Sequence, residues 1–95
     1  MRISNYIQTE LKNASYLAFG SAKILLFGSR IDDNKKGGDF DIAIVSDLDR
    51  QAFKKAKTQF FKYLFLKDLH LPIDMVDYKH ANALLKKEID KGIYL

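Results

Sequence analysis

Two carboxylates stand at the head of an apolar run, Asp39-Phe40-Asp41-Ile42-Ala43-Ile44-Val45, and no other feature restricts the fold as much. Ile42 to Val45 reads as a buried strand. Residues two apart on a strand point to the same face, with Cα atoms roughly 6.5 to 7 Å apart, so both carboxylates look at one spot. Like charges at the start of a buried strand repel and lose hydration, a cost that sequences avoid unless a cation or a proton offsets it. Asp74 interrupts a second apolar run, Pro72-Ile73-Asp74-Met75-Val76-Asp77, and a third carboxylate from an adjacent strand would complete a pocket for cations.

The remaining segments supply a frame for these strands. Ile3, Ile7, Leu11, Ala14 and Ala18 recur at helical spacing, which predicts a helix over 4–19 with Gly20 as its stop. Ile24-Leu25-Leu26-Phe27 is too short for a helix and reads as a buried strand, followed by a polar stretch from Gly28 to Gly38 that reads as a turn and loop. Helices are expected over 49–67, capped from Ser46 to Asp49, and over 79–91, stopping at Gly92. The strands are expected at 24–27, 39–45 and 72–77, with Pro72 tolerated at a strand's first position. Helix, strand, loop, strand, helix, strand, helix is the order of an α/β domain with a small sheet covered by helices. Ninety-five residues suit one domain over 1–95, since halves of that length would lack a core.

Composition narrows the chemistry. The chain has no cysteine, so any metal must be held by oxygen or by the two histidines, which favours hard ions such as magnesium. A net charge of +4 suits an anionic ligand without identifying one. The polar start, Met1-Arg2-Ile3-Ser4-Asn5, leads into no stretch apolar enough for a signal peptide or membrane span, so a cytoplasmic location and no membrane partner are expected.

Gly28-Ser29-Arg30, directly after the first strand, has the parts of a triphosphate cradle. Glycine admits a phosphate to the backbone, serine offers a hydroxyl, and arginine can pair with a phosphate. Lys35 and Lys36 can add charge or serve only solubility. Asp39, Asp41 and Asp74 would hold two magnesium ions, the arrangement that stabilises both oxygens of an in-line displacement at phosphorus. Asp47 and Asp49 read as helix caps, Asp77 as facing away from Asp74, and His70 and His80 as surface or capping residues.

Gly-Ser after a strand, Asp-x-Asp at the head of the next and a lone Asp two elements later resemble the nucleotidyltransferase superfamily of DNA polymerase β, in its shortest branch, the minimal nucleotidyltransferases (MNT). The resemblance runs from Ala18-Phe19-Gly20 to Lys91-Gly92-Ile93-Tyr94 and implies a small mixed sheet covered by helices. It implies that Gly28 and Ser29 bind the triphosphate, expected to be that of ATP, beside the phosphate contact that its own chemistry suggests for Arg30. It assigns magnesium to Asp39 and Asp41, and gives Asp74 the completion of the site and activation of the attacking hydroxyl. The chain departs from the pattern in having Ile31-Asp32-Asp33-Asn34 where members often continue with a second arginine and a glycine, and Gly38 where serine is common. Stand-alone MNT proteins are typically encoded beside a HEPN-domain protein. Such pairs resemble toxin-antitoxin modules in which the MNT antitoxin adenylylates a tyrosine of the HEPN ribonuclease, so a HEPN partner and a hetero-oligomer are expected.

Two other readings accompany this one. A binding-only antitoxin would keep the fold without catalysis, and a nucleic-acid binder would use the basic charge and the aromatics. Those aromatics fall mostly at core or interface spacing, and no dedicated nucleic-acid motif is present. The segment Phe60-Phe61-Lys62-Tyr63-Leu64-Phe65-Leu66 is apolar nearly all round on a helix, which predicts burial on more than one side, by the sheet and by either further core or a partner.

Overall fold

The computed structural model describes residues 3–28 and 39–95, and the expected alternation of helices and strands is present within them. Helix α1 (Asn5–Phe19) starts where the Ser4 hydroxyl accepts a hydrogen bond from the Ile7 amide, and it ends at Gly20. Strand β1 (Lys23–Phe27) follows, then β2 (Phe40–Val45), α2 (Arg50–Leu66), β3 (Ile73–Asp77), α3 (Ala83–Asp90) and β4 (Ile93–Tyr94). The sheet order is β3-β2-β1-β4, with β2 and β3 parallel and β1 antiparallel to both β2 and β4. This is a small mixed sheet between helices, as an α/β chain of this element order requires.

Strand alternation divides the apolar side chains between two faces. Ile24 and Leu26 of β1, Ile42 and Ile44 of β2 and Met75 of β3 pack with Leu11 and Ala14 of α1 and Phe53, Phe60 and Leu64 of α2. Leu25, Phe27 and Ala43 face the other way and pack with Ile89 of α3, with Val45, Val76 and Leu85 at the margin. Glu10 ties α1 to α2 at the first face: it is buried, and it accepts hydrogen bonds from the Tyr63 hydroxyl at 3.2 Å and the Asn13 amide at 3.1 Å. The apolar segment of α2 splits between two fates. Phe60 and Leu64 are in the core at 0% and 2% exposure, whereas Phe65 and Leu66 remain 68% and 72% exposed.

Three expectations are corrected. The helix expected over 79–91 is a 3-10 turn at Tyr78–His80 followed by α3 from Ala83, because Asn82 caps a fresh helix by accepting from the Leu85 amide. Beyond it, Ile93–Tyr94 forms β4 against Leu26 and Leu25, an element too short to show a period in the sequence. Gly92 makes that reversal possible, since a Cβ there would lie 2.6 Å from the Leu26 carbonyl oxygen. Finally, Asp49 alone of the Asp47–Asp49 pair caps α2, its carboxylate accepting from the Ala52 amide at 2.7 Å, while Asp47 offers its backbone carbonyl to Lys79. Replacing Asp49 by alanine is therefore expected to cost about 1 kcal/mol of stability, and Asp47→Ala close to nothing. Urea denaturation of the two variants checks this, and equal losses would reject the assignment of the cap.

Candidate active site

Antiparallel pairing brings the end of β1 and the beginning of β2 to one edge of the sheet, and parallel pairing adds the beginning of β3. Gly28, Asp39, Asp41 and Asp74 all lie at that edge. In the register, Asp41 stands between Phe27 of β1 and Asp74 of β3. Neighbouring strands are about 4.8 Å apart, so Asp41 and Asp74 are direct cross-strand neighbours of like charge, an arrangement that costs stability. Both project to the face of Ala43 and Val76, the side on which α3 packs over β1. Asp39 and Asp74 are exposed and Asp41 is half-buried. Asp77, three residues beyond Asp74, points to the opposite face as its spacing requires.

The electrostatics follow from this placement. Burial pushes the Asp41 carboxyl above its ordinary value, and the nearby charges of Asp74 and then Asp39 push it further. Three carboxylates thus share one electrostatic neighbourhood, although among the described residues no three acidic, histidine or cysteine side chains close into a ready ligand cluster.

Gly28 touches the same group. Its φ of +78° favours glycine, and a Cβ built on it would collide with the Asp41 carboxylate, lying 3.2 Å from the carboxyl carbon. The sequence suggests glycine as an opening for phosphate; the structure shows that it also makes room for the Asp41 side chain. The direct Asp41–Asp74 register and this contact were not legible from spacing, because both arise between strands.

By donor chemistry the site fits magnesium: hard carboxylate oxygens in mutual repulsion, aimed into a space that a Cβ would fill. Ser29 and Arg30 lie outside the described residues, as do Asp32, Asp33, Lys35 and Lys36. The histidines are elsewhere. His80 Nδ1 lies 2.5 Å from Asp77 Oδ2 and is largely enclosed, a local tie more than a surface residue, while His70 pairs with Asp68 in the open and stacks edge-on with Phe65. No helix among the described residues is long and apolar enough to cross a membrane.

A family model described as polymerase beta, nucleotidyltransferase, matches residues 2–95. No curated protein matches the chain.

Proposed function

The chain belongs to the polymerase beta nucleotidyltransferase family, and from that premise we propose that it transfers AMP from ATP to a hydroxyl of a partner protein, with release of pyrophosphate. The observation that carries this reading is the placement of Asp41 directly beside Asp74, with Asp39 adding to the same field. The acceptor oxygen attacks the α-phosphorus of ATP, the bond from that phosphorus to the oxygen bridging to the β-phosphorus breaks, and pyrophosphate leaves. Asp74, exposed on the edge strand β3, accepts the acceptor's proton, while Asp39 and Asp41 would hold the cations that bind the phosphates. Magnesium supplies charge neutralisation at the attacking and leaving oxygens when bound. Gly28, Ser29 and Arg30 are assigned the triphosphate.

The acceptor is assigned to a HEPN-domain protein encoded by a neighbouring gene, in an antitoxin and toxin pair. Two features of the surface support a protein acceptor. Phe65 and Leu66 are exposed at the end of α2, and that helix carries Arg50, Lys54, Lys55, Lys57 and Lys62 with no acidic residue, which suits an acidic partner.

The Asp74→Asn protein provides the test. It is expected to keep nucleotide affinity within a few-fold while turnover falls on the order of 10² to 10³-fold. Calorimetry with ATP and magnesium is compared with mass-spectrometric detection of a nucleotidyl adduct on the co-expressed neighbour. Undiminished adduct formation would remove Asp74 from the chemistry, and absence of any adduct with the wild type would remove the protein-acceptor reading.

A further inference from the structure

At the other end of β1 from Gly28, a cleft of about 600 Å³ opens between the last turns of α1, the α1–β1 connection and β4. Its volume lies within the range of small-molecule sites. Lys12 and Lys23 line it together with Ser15, Ser21, Tyr16 and Tyr94, and no acidic side chain lines it. Neither lysine forms an ion pair with a described residue, and Lys23 Nζ sits 5.6 Å from the centre of the Tyr94 ring.

Ser15 carries the argument further. It is only 2% exposed, yet its hydroxyl has no hydrogen-bond partner. A serine within a helix ordinarily bonds back to the carbonyl one turn earlier or turns to solvent, and a buried hydroxyl that does neither carries an uncompensated desolvation cost. Ser15 lines the cleft, so a small side-chain adjustment there lets a bound molecule complete the hydroxyl's missing hydrogen bond. Two lysines lining the same cleft without a described carboxylate partner favour an anion, and the exposed rings of Tyr16 and Tyr94 give a flat surface for a planar group.

We propose that this cleft is a second binding site, for a nucleoside monophosphate, with Lys12 and Lys23 on the phosphate, Ser15 bonding a polar atom of the ligand and Tyr16 or Tyr94 stacking on the base. The length of β1, about 13 Å, separates it from the aspartates, so its ligand is neither donor nor acceptor in the transfer.

The experiment titrates AMP into the full chain with a chelator present and maps amide shifts by NMR. Saturable shifts at Asn13, Ser15, Ser21 and Lys23 are expected. Affinity should fall about tenfold in Lys23→Gln and several-fold in Ser15→Ala, a variant that removes the unpaired hydroxyl and keeps the fold. Asp41→Asn should leave this binding unchanged, which separates it from the catalytic edge. Shifts confined to Gly28, Asp41 and Asp74, or no saturation by roughly 10 mM, would overturn the proposal. Inorganic phosphate binding as tightly as AMP would overturn the assignment of the base.

Discussion

Asp41→Asn is expected to abolish transfer while making the magnesium-free protein harder to melt. The side chain stands between Phe27 and Asp74, half-buried, and its ionised form is disfavoured first by burial and then by the charges of Asp74 and Asp39. Asparagine keeps the shape and removes the conflict, so the melting temperature should rise by a few degrees, a gain of about 1 kcal/mol or less at this chain length. Turnover should drop at least on the order of 10²-fold, because a direct cation ligand is lost.

The pH dependence has the same origin. A folded carboxyl whose pKa lies above the ordinary 3.8 binds its proton more readily than the unfolded chain does. Its contribution to stability therefore falls as pH rises through that window, and is most favourable below it. Asp41→Asn should flatten this part of the wild-type profile. Thermal melts across pH in a chelator, set beside turnover with magnesium, check both halves. A variant that melts below the wild type would reject the charge conflict, and one that retains turnover would reject the ligand.

The second large effect is expected at Gly28, and Gly20 is its control. Both have positive φ, +78° and +73° respectively, so alanine at either meets the backbone penalty of roughly 1 to 2 kcal/mol. At Gly20 a Cβ meets nothing within 4 Å, whereas at Gly28 it would strike the Asp41 carboxylate. Gly28→Ala should therefore lose that backbone term and also displace a cation ligand, with turnover falling on the order of 10²-fold or more. Gly20→Ala should lose stability alone. Melting temperature and adduct formation measured for both variants decide, and matched activity losses would rule out the Gly28–Asp41 contact as the cause.

What spacing alone revealed is what depends on period. Alternation placed Asp39 and Asp41 on one face and turned Asp77 away from Asp74, because neither inference needs to know which strand is next door. Register is different: the pairing of Asp41 with Asp74 is set by how β3 docks on β2, including the hydrogen bond from the Phe40 amide to the Pro72 carbonyl, which no local pattern encodes. The end of the chain is illegible in the sequence for a related reason. The segment 79–91 has enough helical character to be read as continuous, but Asn82 restarts the helix, and the two residues of β4 exist only because β1 offers them an edge. The Glu10 tie is not legible in the sequence, because a glutamate on an amphipathic helix is ordinarily solvated, and its partner Tyr63 lies 53 residues away. On α2 the apolar segment was legible as a surplus over what one face can bury, and the core took Phe60 and Leu64 while leaving Phe65 and Leu66 outside.

The antiparallel docking of β4 on β1 has a practical consequence for handling the molecule. The Leu95 amide donates to the Ile24 carbonyl, so the last described residue lies near the start of β1, at the opposite end of that strand from Gly28 and the aspartates. A tag or surface tether fused after Leu95 leaves from that end, keeping the carboxylate edge open to solution but crowding the cleft lined by Lys12 and Lys23. Fusion after Leu95 therefore favours the carboxylate edge over the cleft in an immobilised sample.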